Sequence, residues 1–399
     1  MNIFSRFYCR VYQIIMRCFL PLLPYREPKL LGGYEELLKV LEESNLDNIM
    51  LITGKVVRGL GLTKSLEDFL VENGVSFTIF DETVPNPTTQ NVEDALKLYL
   101  ENNCQGLIAF GGGSVIDCAK AVGARVACPN KSLKDMKGLL KVNRKLPLLV
   151  AIPTTAGTGS EATVTAVITD SENHKKFIIN DFDLIPNYAI LDAKLTLNLP
   201  PRTTALTGLD ALTHAIEAYI GRSTTRTTRR NALMAIKLIF ENIETAYVDG
   251  ANIQARKRML KASYRAGLAF TKSYVGYVHA ISHSLGGKYN ISHGLANAII
   301  LPYMLRKYGK SIHKKLWNIG KKIGLFESSI SYEDGANIVI SKIEEINKNL
   351  NVPTKIKEIQ EMDIPELAKI ATKEANPLYP VPKLFTSKTL ADIYYQIKE

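Results

Sequence analysis

The sequence predicts two domains, an α/β domain on a mostly parallel sheet followed by an all-α domain. Three observations lead there. Short apolar, β-rich runs at 48–53, 76–80, 106–110, 148–152 and 188–191 alternate with helix-like segments. Two of these runs lead straight into glycine-rich turns. After Pro200-Pro201 long helix-period segments dominate and no convincing strand follows. The expected division is an N-terminal helix and linker over 1–28, an α/β domain over 29–196 and a helical domain over 197–399. At 399 residues and 46% hydrophobic content the chain can fill two cores, and 22% charged residues without low-complexity runs argue against disorder.

The first segment is an amphipathic helix. Residues 3–24 are rich in Phe, Ile, Leu and Val, with Arg6, Arg10, Gln13 and Arg17 gathered in one polar stripe at 100° per residue. A spanning helix would put the arginines in lipid at about 2.5–3.5 kcal/mol each near the bilayer centre. No A-x-A-like cleavage site follows, so a secretory signal is not expected. The helix then either lies in a membrane interface, as a peripheral contact, or packs on the protein or a sister subunit. Pro21, Pro24 and Pro28 end it.

The α/β segment follows in order. A helix is expected over 64–72, between the first two strand-like runs. Gly111-Gly-Gly-Ser114 closes a strand and opens a helix over 115–122, where backbone N–H groups and the helix N-terminus suit a pyrophosphate. Thr154-Thr-Ala-Gly-Thr-Gly-Ser160 supplies a second loop of donors after another strand. The G-x-G-x-x-G fingerprint is absent, so the nucleotide cradle is of a different kind. The formal charge of +11 suits solubility, an anionic cofactor or an acidic lipid surface. No basic run is interleaved with aromatics, so no nucleic-acid partner is expected. Cys9, Cys18, Cys104, Cys118 and Cys128 form no C-x-x-C pair and read as buried thiols of a reducing, cytoplasmic compartment.

In the helical segment, Asp210 and His214 lie four apart on one helix face, and His279, His283 and His293 follow in a second apolar stretch. A carboxylate with convergent imidazoles in apolar surroundings suits a first-row divalent metal. His279 and His283 have the H-x-x-x-H spacing of zinc proteases, but Ala280 stands where the general-base glutamate would be needed. His174 and His313 read as surface residues.

Several stretches together resemble the iron-containing (group III) alcohol dehydrogenase family. They are Val84-Pro-Asn-Pro-Thr88, Gly111-Gly-Gly-Ser-Val-Ile-Asp117, Pro153-Thr-Thr-Ala-Gly-Thr-Gly-Ser-Glu161, Gly208-Leu-Asp-Ala-Leu-Thr-His-Ala-Ile-Glu217, and Val278-His-Ala-Ile-Ser-His283 with His293-Gly-Leu-Ala-Asn297. The resemblance implies a dehydroquinate synthase-like fold, with a dinucleotide-binding N-terminal domain, an all-α metal-binding domain and a site in the cleft between them. It implies Fe2+ or Zn2+ held by Asp210, His214, His279 and His293, with His283 as a further active-site histidine that could relay a proton. It implies cofactor contacts at Asn86, Gly113, Ser114, Thr154, Thr155, Thr163 and Lys176, with Gly112 in the same glycine loop. The reaction implied is hydride transfer between NAD(P)(H) and a small-molecule alcohol or aldehyde whose oxygen the metal holds. A homo-oligomer is expected. Polyol oxidation or a lyase reaction on the same scaffold, and a membrane-docked scaffold protein, are the alternatives.

Many NAD-using members have an aspartate after the first strand, which meets the adenosine ribose. This sequence has Gly54 there, with Lys55 and Arg58 close behind, so NADP(H) is expected over NAD(H). Other departures are Ser292 in place of a proline, an Arg/Thr-rich stretch over 221–230, and a C-terminal pattern reduced to Asn376-Pro377.

Overall fold

The computed structural model describes residues 3–399, so the first two residues of the segment expected over 1–28 lie outside it. The chain forms two compact units, one of Pro24–Asn198 and one that joins Met1–Leu23 to Leu199–Glu399.

In the first unit, six strands form one sheet: β1 (Lys29–Leu31), β2 (Asn48–Ile52), β3 (Ser76–Phe80), β4 (Gly106–Gly111), β6 (Leu148–Pro153) and β9 (Tyr188–Ile190). Their order is β1-β9-β6-β4-β2-β3 and every neighbouring pair is parallel. Successive residues feed opposite faces, as a pleated strand requires. Met50, Ile52, Leu107, Ala109, Leu149 and Ala151 enter one core. Ile49, Leu51, Ile108, Phe110, Val150 and Ile152 enter the other. A sheet buried on both faces explains why these strands read as unbroken apolar runs. β2 has β3 on one side and β4 on the other, so the winding direction switches there. Ligand crevices form beyond the carboxyl ends of strands at such a point.

The sequence reading missed β1 and a smaller sheet. In that sheet β7 (Thr165–Thr169) pairs antiparallel with β8 (Lys176–Asn180), and β5 (Gly138–Leu139) pairs parallel with β8. The helix Gly113–Ala127 ties the two sheets together. Its Asp117 accepts hydrogen bonds from Ser160 Oγ (2.6 Å) and Val167 N (3.0 Å). One turn on, fully buried Lys120 shares its three N–H groups among Ser160 Oγ, the Thr163 hydroxyl and the Thr163 and Thr165 carbonyls at 2.8–3.1 Å. Burial pulls the Lys120 ammonium down to about 8, against the attraction of Asp117 and Glu161.

The second unit is helical, with no named strand among its described residues. At its centre the helix Pro201–Ile220 is buried continuously from Gly208 to Ile220. A helix apolar on all sides must be covered on all sides. The N-terminal helix, Ile3–Phe19, joins this unit by its polar side. Arg10 donates to the Val381 and Pro382 carbonyls at 2.8 and 3.0 Å, and Gln13 to those of Tyr379 and Pro377 at 2.7 and 3.2 Å. Of the two placements open at the sequence level, packing on the protein is therefore present. No helix among the described residues is long and apolar enough to cross a membrane. The cysteine reading needs one correction: all five are free, but Cys18 is exposed, because it lies on the outward face of this helix.

Removing Lys120 should be costly, because Asp117 would lose its buried counter-charge and four acceptors their donor. Lys120→Met is expected to lower stability by about 3–5 kcal/mol, read from the midpoint of denaturant unfolding. An unchanged midpoint would show that the clamp contributes nothing.

Candidate metal centre and cofactor loops

Three helices deliver the metal-binding candidates. Pro201–Ile220 carries Asp210, His214 and Glu217, which share one face at the i, i+4, i+7 spacing. Tyr277–Tyr289 carries His279 and His283, and His293 opens the helix His293–Tyr308. A side chain at Gly294 would come within 2.3 Å of the Leu206 carbonyl, so a bare backbone here lets the His293 helix approach the central one.

Asp210, His214, His279 and His293 each turn one ligand atom inward, and these four atoms lie within 4.8 Å of one another. Asp210, His214 and His279 are buried, while His293 is 37% exposed. Phe270 stacks on the His214 ring at 4.1 Å between centroids. Glu217 accepts from Gly276 N at 2.7 Å, Val278 N at 2.9 Å and His279 Nδ1 at 2.6 Å. That bond places the His279 proton on Nδ1 and leaves the Nε2 lone pair facing the group. Ser282 Oγ contacts His293 Nδ1 at 3.1 Å in the same way.

Protonation favours metal binding as well. Burial pulls His279 well below the ordinary histidine value, helped by the neighbouring rings of His214, His293 and His283. Burial also lowers His214, while Asp210 opposes the shift. Both rings are therefore neutral at neutral pH, the form that metal binding requires. Burial raises Glu217 to about 7, opposed by the amides of Gly276 and Val278.

Without an ion the arrangement is short of donors. The Asn297 amide nitrogen lies 2.7 Å from Asp210 Oδ1, 3.3 Å from His279 Nε2 and 3.1 Å from His293 Nε2. Its two hydrogens cannot serve three lone pairs. His214 Nδ1 is buried with no hydrogen-bond partner. A dication would satisfy all four donor atoms at once, and one carboxylate with three imidazoles suits Fe2+ or Zn2+. The residues present fit a metal.

His283 stands outside the four-atom group. Its ring stacks on that of His293 at 5.1 Å, and its Nδ1 lies 2.7 Å from Glu374 Oε1, which also accepts from Tyr379 Oη. His174 is exposed and His313 partly exposed.

Gly54, Asn86, Gly112, Gly113, Ser114, Thr154 and Thr155 follow the carboxyl ends of β2, β3, β4 and β6, while Thr163 precedes β7 and Lys176 opens β8. Gly112 caps the helix Gly113–Ala127 without a side-chain bond, so no capping group takes the first-turn amides. A side chain at Gly113 would meet Thr158 at 2.7 Å, so the two glycine-bearing loops lie against each other. Gly112 likewise faces Thr155. Asn86, in the left-handed region, accepts from Lys176 Nζ at 2.6 Å, and its backbone N–H donates to Ser114 Oγ at 3.1 Å. Thr154 is buried, and its amide is bonded to the Gly111 carbonyl. The Thr163 hydroxyl is buried and already bonded to Lys120, so its contribution is structural in this arrangement. Gly54 bridges to Glu82 at the end of β3. Nearby, Lys55 pairs with Glu82 and Arg58 with Asp81, both at 2.7 Å.

Sequence reasoning assigned no role to Glu217, Asn297, Lys120 or Glu374. For Glu217 a signal was available, since its i+7 spacing from Asp210 puts it on the ligand face. Glu374 carried none, because only folding brings it to His283.

The description "iron-containing alcohol dehydrogenase" matches residues 31–193, and the C-terminal description of the same family matches 204–397. The chain belongs to the iron-containing alcohol dehydrogenase family, and it is a metal-dependent alcohol dehydrogenase. It is 35% identical over 372 residues to 1,3-propanediol dehydrogenase of Citrobacter freundii, covering 92% of each chain. It is 32% identical to lactaldehyde reductase of Escherichia coli (strain K12), over 85% of this chain and 89% of that one. A crystal structure of 1,3-propanediol oxidoreductase superimposes with a TM-score of 0.89 at 33% identity, over 94% of this chain and 99% of that one. Sulfoacetaldehyde reductase from Bifidobacterium kashiwanohense, solved in complex with NAD+, gives 0.82 at 29% identity, over 94% and 98%.

His279→Ala should cut bound metal to below roughly a tenth of the wild-type content, measured by elemental analysis of the purified protein. Full occupancy in that variant would remove His279 from the ligand set. Glu217→Gln offers one acceptor oxygen where the carboxylate used two. Its amide hydrogens also favour the wrong tautomer of His279. Metal affinity should fall about 10- to 100-fold in a chelator competition titration. Unchanged affinity would contradict the orienting role.

Proposed function

We propose that the enzyme interconverts small primary alcohols or diols and their aldehydes with NADP(H) as the favoured carrier. In this reading Fe2+ or Zn2+ is held by Asp210, His214, His279 and His293. The observation that carries the reading is the four inward ligand atoms within 4.8 Å in a setting with too few protons to satisfy them. Relatives named for 1,3-propanediol and lactaldehyde support small, oxygenated substrates. A homo-oligomer is part of the proposal.

The bound dication would supply Lewis acidity toward the substrate oxygen. The chain's own residues do the rest. Glu217 and Ser282 fix the ring orientations of His279 and His293. Asn297 holds Asp210. Glu374 accepts from His283 Nδ1, which leaves Nε2 as the atom that takes or returns a proton. Its side chain is 34% exposed, so solvent can exchange that proton. The glycine-loop amides, Ser114, Thr154, Thr155, Asn86 and Lys176 bind the dinucleotide phosphates and their neighbours.

The preference for NADP(H) rests on the residue after β2. Gly54 offers no carboxylate to repel a 2′-phosphate, and Lys55 and Arg58 lie beside it. Their present pairings with Glu82 and Asp81 are solvent-exposed, and such pairs contribute about 0–1 kcal/mol. A bound 2′-phosphate can therefore displace them.

Anaerobic purification, metal analysis and turnover of an aldehyde panel with both reduced cofactors test the reading. NADPH should give the higher kcat/KM. Arg58→Ala should raise KM for NADPH by about fivefold or more while leaving that for NADH in place. Equal use of the two cofactors, unaffected by the substitution, would overturn the assignment.

A further inference from the structure

The N-terminal helix is mounted the opposite way from an ordinary amphipathic helix. Its buried residues include Gln13, and its bonds to the 377–382 turn run through Gln13 and Arg10. The apolar side faces outward: Phe4 is 80% exposed, Phe7 70%, Tyr8 60%, Ile14 55%, Ile15 49% and Phe19 53%. At 100° per residue these positions sweep about 140° of the circumference with no charge among them. Arg6 and Arg17, both exposed, line one edge of that face. Four sequence-distant carbonyl contacts hold the helix in this orientation.

The same turn also receives the arginine-rich stretch. Arg222 N donates to the Pro380 carbonyl at 2.7 Å. Arg222, Arg226, Arg229 and Arg230 are all exposed, and 221–230 holds no carboxylate. The threonines there have a local task, since Thr225 and Thr228 form the capping box of the helix Arg226–Val248. The arginines have no such task. None of them, nor Arg6 or Arg17, forms an ion pair with a carboxylate among the described residues. Arg17, Arg222 and Arg229 lie near enough to Lys315 to help burial push its ammonium down to about 8. Its Nζ is meanwhile bonded to the carbonyls of Ile220 and Gly221.

We propose that the outward face of the N-terminal helix and the arginines of 222–230 form one platform that docks on an anionic phospholipid surface. Aromatic and aliphatic side chains enter the acyl boundary while the arginines meet the headgroups. Charge complementarity selects this occupant over a second copy of the chain. Two copies joined through this face would bring the same unneutralised arginines together, whereas a phosphate layer neutralises them.

Co-sedimentation of the full chain with vesicles tests the proposal. The protein should pellet with phosphatidylglycerol/phosphatidylcholine vesicles at low salt and far less with phosphatidylcholine alone. High salt should weaken the binding. Phe4→Glu/Phe7→Glu/Ile15→Glu and, separately, Arg226→Glu/Arg229→Glu/Arg230→Glu should each weaken binding at least about tenfold. Both variants alter exposed residues that belong to neither the metal group nor the glycine loops, so alcohol turnover and helical circular dichroism should stay at wild-type levels. Failure of the full chain to bind anionic vesicles would overturn the proposal, as would undiminished binding by both variants. So would a wild-type assembly in sedimentation velocity that the Phe/Ile variant dissolves, since the face would then join copies of the chain.

Discussion

The helical unit is organised around one electrostatic constraint, the burial of Asp210 among imidazoles that have too few protons to satisfy it. Each buried polar atom left unpaired costs about 1–3 kcal/mol. The central helix carries Asp210, His214 and Glu217 on a single face through an otherwise apolar interior. That interior drives the rings of His214 and His279 neutral, the form a metal requires, and removes the charge that could have balanced the carboxylate. A dication would resolve the conflict. Glu217, Ser282 and Asn297 fix which atom of His279, His293 and Asp210 faces the group.

The α/β unit answers a different constraint with similar means. Its glycine-bearing loops need bare backbone at the ends of β4 and β6, which leaves them little side-chain packing of their own. Asp117 and Lys120 compensate by anchoring Ser160, Thr163, Thr165 and Val167 to the glycine-loop helix. The two loops are thus tied together by a buried cation.

Much of this was legible in the chain. Five of the strands stand out because a sheet covered on both faces demands long apolar runs, and all five occur where those runs are. β1 is too short to show a period, and β7 and β8 are broken by threonine and asparagine because the small mixed sheet buries only their alternate residues. The histidine and aspartate spacing was readable because helix geometry converts four-residue steps into one face. The partners that orient these ligands were not, since Asn297 and Glu374 look like ordinary helical polar residues until the helices meet. The N-terminal helix shows the limit most clearly. Its periodicity identifies two faces, but nothing local reveals that four carbonyls of a distant turn await its arginine and glutamine.

The most direct measurement is an anomalous-diffraction map of crystals grown with the metal supplied anaerobically. One peak is expected, at bonding distance (about 2.0–2.2 Å) from side-chain atoms of Asp210, His214, His279 and His293. A map without that peak, or with the ion held by other residues, would contradict the account.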